Sequence, residues 1–186
     1  MEAIKNIQLE KIFKNLLIAL IGTAVLTLSA KIKIPFYPVP MTMQTFVVLL
    51  IGITLGSRLG FLTVSLYLME GIVGLPVFAS SPEKGIGIIY FIGPTMGYLI
   101  GFLVAVYFAG SFKYNKGVLN NFLKIIFSVS CIYILGMVWL GNIVGWDKPI
   151  FELGAKPFLL AELFKVLLLL FIIPVLLKGK TLLKIT

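Results

Sequence analysis

The sequence predicts an all-α membrane protein of six transmembrane helices with both termini on the cytoplasmic side. Three observations carry that prediction. Hydrophobic residues fill 60% of the 186 positions and charged residues only 12%, against roughly a quarter charged in a soluble domain. Mean hydropathy is +1.10, so there is too little polar surface to cover a water-soluble globule and lipid must be the solvent. The charges that remain lie mainly in short segments between apolar runs, as anchors at a membrane surface do.

Charge-free runs mark the spans in order. The first is Asn15–Ala30. The second is Ile34–Ser57, of which Met41–Leu55 reads as helix after a proline-rich entry, "IPFYPVP". The third is Leu59–Gly74, interrupted only by Glu70. The fourth lies within Gly85–Phe112, the fifth within Ile125–Trp146 and the sixth within Pro157–Leu177. Each approaches or exceeds the ~20 residues that cross a bilayer core, the second and third being short. Six spans leave no room for a soluble domain, so residues 1–186 read as one integral-membrane unit.

An even number of spans puts both termini on one side. With the termini inside, the inner segments hold Lys5, Lys11, Lys14, Arg58, Lys113, Lys116, Lys124, Lys178, Lys180 and Lys184. The outer segments hold Lys31, Lys33, Lys84, Lys148 and Lys156. The excess of inner cations sets the orientation.

Composition also excludes function classes. The net charge of +9 suggests nucleic acid, but the basic residues form no patch interleaved with aromatics. No histidine is present, which removes His-based catalysis and the commonest transition-metal ligand. A single cysteine, Cys131, cannot form a disulfide within the chain. The basic N-terminus precedes an apolar run longer than a signal core, and more spans follow, so it reads as a first helix. "KGKT" at 178–181 has the tail of a phosphate-binding loop, but Pro174 stands where the loop glycine is required and no strand precedes it. Gly52, Gly56 and Gly60 repeat every four residues, as do Gly97 and Gly101, a spacing that lets helices approach closely inside the protein.

The polar residues inside the spans carry the functional argument. A Lys or Glu near the centre of a spanning helix costs on the order of 2.5–3.5 kcal/mol, so it faces a partner or a cavity. Glu162 and Lys165 are three apart and share one face of the sixth helix. From a start near Pro157 they lie roughly 7 and 12 Å along it. Gln44 on the second helix and Tyr98 on the fourth fall at similar depth, and Glu70 sits near the outer end of the third. The inner half holds only hydroxyls such as Thr54 and Ser128, which a helix bonds to its own carbonyls. That asymmetry describes a pocket open to the outside rather than a conduction path. A cation, a carboxyl, an amide and a phenol among apolar walls suit a small ligand with a charged end and a hydrogen-bonding end. Two non-minimal outer segments, 31–42 and 74–87, are candidate lids, the second carrying Phe78 and Ser80.

"PFYPVPMTMQT", "GSRLGFLTVSLYLMEGIVGLPVF" and "GPTMGYLIGF" together resemble the BioY family, the biotin-specific membrane subunits of energy-coupling-factor transporters. The similarity runs from about Leu16 to about Leu177. It implies the shared six-helix S-component fold, with biotin held near the outer surface. In the family the sixth helix typically carries an acid followed three residues later by lysine. Here "PFLLAELFK" puts Glu162 in the usual aspartate place and Lys165 in the lysine place. Tyr98 matches the tyrosine of the GY pair and Gln44 the glutamine of PVPxTxQ. Pro94 stands where some members have arginine, and Glu70 where an apolar residue is usual.

The resemblance also implies partners: a transmembrane scaffold and two ATPase subunits, docked through small residues at four-residue spacing, here Ala19, Thr23 and Thr27. It implies a bacterial cytoplasmic-membrane location and no cofactor, metal or catalytic residue, biotin being the transported ligand. Chemically, Glu162 can accept from ureido N–H groups. Lys165 can donate to the ureido oxygen or pair with the tail carboxylate. The alternatives are an S component for another small vitamin and an intramembrane enzyme using Glu162 or Glu70 as acid and base.

Overall fold

The computed structural model describes residues 2–34, 41–79, 81–82, 85–115 and 117–183. Its first helix, α1 (Glu2–Lys31), starts well before the charge-free run. Ala19, Thr23, Leu26 and Ala30 recur at helical spacing on the buried side of α1. Ile12, Phe13, Leu16, Leu17, Leu20 and Ile21 are exposed. Small or polar residues inside and large apolar ones outside is the pattern of a helix solvated by lipid.

Two short strands, β1 (Lys33–Ile34) and β2 (Met41–Thr42), follow and pair antiparallel with Lys33 opposite Thr42. They close the first outer segment at its base. The prolines that stiffen that segment in the sequence lie outside the described residues, as does Ser80.

Helix α2 (Gln44–Ile72) covers both the second and the third expected spans. Its run is broken at Gly56, where φ is 80° and ψ is 173°, a conformation essentially confined to glycine. In a straight helix residues 44 and 67 would stand about 35 Å apart, at 1.5 Å per residue. Instead Gln44 Nε2 donates to Tyr67 Oη over 2.7 Å. The halves 44–55 and 57–72 therefore run back along each other, and a Cβ on Gly60 would lie 3.3 Å from the Gly52 Cα. Gly56, Ser57 and Arg58, between the second and third expected spans, lie at this fold-back.

The fourth expected span is divided into α3 (Ile88–Ile92) and α4 (Met96–Ser111). Pro94 explains the break, because proline disfavours helical backbone in the residue before it, and Gly93 is extended. Helix α4 packs most extensively against α2 on one side and α5 (Val118–Val144) on the other. Glycines permit both contacts. A Cβ on Gly52 would meet the Val106 carbonyl at 2.6 Å, and one on Gly101 would meet the Ile132 Cα at 2.6 Å. The four-residue glycine spacing thus serves packing inside the chain. Trp139 of α5 adds a hydrogen bond to the Gly93 carbonyl at 3.0 Å.

Beyond α5 the structure adds a short α6 (Ile150–Gly154) and a 3₁₀ turn over Lys156–Phe158, neither of which the apolar runs suggested. Helix α7 (Leu159–Leu183) completes the chain and continues through Pro174. The core combines Phe46, Val48 and Leu49 of α2, Val106 of α4, Ile125 and Ile132 of α5, and Val166, Leu169 and Ile173 of α7. Among the described residues, four helical stretches are long and apolar enough to cross a membrane, within α1, α2, α5 and Ile150–Lys178, and α4 is a shorter apolar helix.

The break at Gly56 supplies a direct test. Gly56→Ala meets no neighbour within 4 Å, so its cost is purely conformational, roughly 1–3 kcal/mol. Gly52→Val must also push α4 away and is expected to lower the thermal unfolding midpoint in detergent further than Gly56→Ala does. Equal midpoints would contradict the α2–α4 contact.

Candidate functional site

Glu162 and Lys165 occupy the first two turns of α7 and are 5% and 2% exposed. Their three-residue separation lets Lys165 Nζ reach Glu162 Oε1 at 2.7 Å. Neither is left to the other alone. Lys165 Nζ donates to Thr45 Oγ1 at 2.8 Å, and that hydroxyl lies 2.9 and 3.0 Å from the two Glu162 oxygens. The pair therefore sits in a closed three-membered arrangement that joins α7 to the first turn of α2.

Beside it is a cavity of about 320 Å³, at the small end of the ~300–1,000 Å³ typical of ligand sites. Its walls come from α5, α6 and α7. Glu162, Tyr133 and Ser130 supply polar groups, and Met137, Phe151 and Val166 supply apolar surface. Tyr133 faces the Glu162 carboxylate and packs edge-on to Tyr98, with ring centroids 6.0 Å apart. Lys165 and Thr45 are not among the residues that line the cavity.

The remaining polar residues singled out in the sequence go to separate places. Gln44 turns away from the ion pair to Tyr67, whose hydroxyl in turn donates to the Val77 carbonyl at 3.0 Å. Tyr98 donates to the Gly154 carbonyl at 2.8 Å, holding α6 against α4. Glu70 accepts from Thr23 of α1 at 2.9 Å, which gives that carboxyl a helix-joining contact. Only Glu162 and Lys165 of the five meet directly. Thr54 and Ser128 bond the carbonyls of Leu50 and Lys124, one turn back on their own helices.

Phe78 is 1% exposed at the centre of an aromatic group, stacked on Tyr90 at 4.6 Å and edge-on to Tyr67 and Phe91. It does not line the cavity beside Glu162. Lys31, at the end of α1, donates to the carbonyls of Phe78 and Ser81 at 2.7 Å each. The described part of this outer segment is thus pinned at Val77, Phe78 and Ser81. Ala19 and Thr23 are buried within the chain, and the Thr27 hydroxyl donates to the Thr23 carbonyl.

Sequence reasoning passed over Thr45 and Tyr133. Successive residues on a helix point about 100° apart, so Gln44 and Thr45 necessarily serve different neighbours. The more polar of the two drew attention, while the less conspicuous threonine faces α7. Tyr133 lay in the middle of a long apolar run with no local mark of its role.

Comparison with known proteins decides the family. The BioY family model matches residues 3–181. The chain belongs to the BioY family. The "Biotin transporter BioY" of Thermotoga maritima is 36% identical over 153 residues, covering 82% of this chain and 89% of that one. The "Probable biotin transporter BioY" of Pyrococcus horikoshii is 35% identical over 152 residues, with the same two coverages. Among solved structures, the S-component for biotin from an ECF-type ABC transporter aligns with a TM-score of 0.73 at 24% identity. That alignment covers 91% of this chain and 93% of the solved one, so this BioY chain has the S-component fold.

Two variants test the site's architecture. Lys165→Met strands a buried carboxylate and is expected to cost about 3–5 kcal/mol in unfolding free energy. Adding Glu162→Leu removes the stranded charge and is expected to recover most of that loss in mixed-micelle unfolding. A double variant as unstable as the single one would contradict the pairing.

Proposed function

We propose that this chain is the substrate-specific subunit of an energy-coupling-factor transporter and performs high-affinity biotin binding and uptake across the cytoplasmic membrane. The observation that carries the reading is a buried, hydrogen-bonded Lys165–Glu162 pair beside a small apolar-walled cavity, in a chain whose curated relatives are named biotin transporters. Biotin's ureido group offers two N–H donors and one carbonyl acceptor, matched by a carboxylate that accepts and an ammonium that donates. Its thioether ring suits Met137, Phe151 and Val166. Tyr133 provides an aromatic face in the cavity wall, and Tyr98 packs edge-on against it. Gln44 supports the site from behind Thr45 through its bond to Tyr67.

On this reading the chain crosses the membrane six times, through α1, the two halves of α2, α4, α5 and α7. Both termini are cytoplasmic, by the lysine distribution. The Lys31 contacts and the Phe78 aromatic group hold Phe78 and Ser81, in the candidate lid segment 74–87, in place. On this reading movement of substrate is driven by an energising partner, a transmembrane scaffold with two ATPases.

The test is biotin binding to the purified full chain by calorimetry. Nanomolar or tighter affinity is expected, with Glu162→Gln and Lys165→Ala each weakening it at least about a hundredfold, the loss of a buried charge-assisted contact. Absence of binding by the parent sinks the substrate. Parent-like affinity in both variants sinks the site.

A further inference from the structure

Thr45 is the one uncharged member of the buried cluster, and its chemistry fixes the direction of every bond in it. A threonine hydroxyl has one hydrogen and two lone pairs, an ammonium only donates and a carboxylate only accepts. Lys165 therefore donates to Thr45 at 2.8 Å, and Thr45 donates to Glu162 at 2.9–3.0 Å. The direct Lys165–Glu162 bond of 2.7 Å closes the ring.

Geometry makes the threonine the fixed point of that ring. Glu162 and Lys165 are long side chains on one helix, and their direct bond alone leaves both heads free to swing together. Thr45 comes from another helix and, being β-branched, is stiff about its first side-chain torsion. Its neighbour Gln44 is tied to Tyr67, and Tyr67 to the Val77 carbonyl, so the first turn of α2 is held from the far side as well. Of the three ring members only Glu162 lines the cavity.

We propose that Thr45 is a positioning residue for the ligand site. Its hydroxyl holds the Glu162 carboxylate at one orientation, so that the acceptor positions not used by Lys165 and Thr45 face the cavity. Thr45 acts through Glu162 and does not itself touch the ligand. The inference rests on the proposed biotin reading and adds the element that sets the aim of the carboxylate.

The experiment compares Thr45→Val, which keeps the shape and loses the hydroxyl, with Thr45→Ser, which keeps the hydroxyl. Thr45→Ala serves as a second hydroxyl-free variant should the valine crowd the helix contact. Each is prepared as the full chain in detergent, and its elution profile and thermal midpoint establish folding. Infrared spectra of the ligand-free proteins report the carboxylate stretch of Glu162, identified by its loss in Glu162→Gln. The hydroxyl-free variants are expected to shift that band and to weaken biotin binding about 10- to 100-fold, the range for one hydrogen bond to a charged group. Thr45→Ser is expected to restore the band and to return affinity to within about threefold of the parent.

A folded Thr45→Val or Thr45→Ala that binds biotin as the parent does overturns this inference alone. An unshifted band, or a serine variant that restores nothing, also overturns it, because the residue then acts by packing. A parent that binds no biotin overturns the proposed function, and this inference with it.

Discussion

The structure depends on a charged pair placed where charge is costly. A carboxylate or an ammonium taken alone into a low-dielectric interior loses several kcal/mol of solvation, and only good geometry with further hydrogen bonds offsets that loss. Glu162 and Lys165 meet both conditions, through their direct contact and through Thr45. The consequence reaches beyond the pair. Because the third member belongs to α2, satisfying the charges requires the start of α2 to lie beside the start of α7. The polar requirement of two side chains thus fixes the relation of two helices separated by more than half the chain.

The rest of the fold makes that relation possible. Lipid gives no hydrophobic drive for helices to associate, so close packing and internal polar contacts must do it. Glycines on α2 and α4 let backbones approach, which places α4 between α2 and α5. The fold-back at Gly56 returns the second half of α2 to the start of the first, where Tyr67 meets Gln44 and the Val77 carbonyl. Glu70 ties the same half to α1 through Thr23. Several intramembrane polar residues therefore work as helix joints, and a single cluster borders the cavity. That separation matters for reading relatives: a polar residue inside a span marks a contact, but not always a ligand contact.

The closed Thr45–Lys165–Glu162 ring also bears on how a site can be both stable and receptive. With its charges satisfied internally, the chain does not need a ligand to tolerate them. A ligand competes for acceptor positions that remain on the cavity side of Glu162, with Tyr133 already facing that carboxylate. The Glu162 side chain reaches both a lysine on its own helix and a threonine on another.

The sequence by itself determined the membrane class, the approximate spans and the Glu162–Lys165 pair, because these follow from local quantities: hydropathy over a window, charge between windows and helical spacing. It also determined the family resemblance, carried by motifs along nearly the whole chain. Only the tertiary structure decided which polar residues meet. Thr45 rather than Gln44 joins the pair, since one step along a helix rotates a side chain by about 100° and the sequence does not say which direction faces α7. Tyr133 enters the cavity wall because α5 packs beside α7, and α6 with its Gly154 carbonyl supplies a partner for Tyr98 that no apolar run announces. Identity and depth of a residue are written in the chain, whereas its azimuth on a helix acquires meaning only when the neighbouring helices are in place.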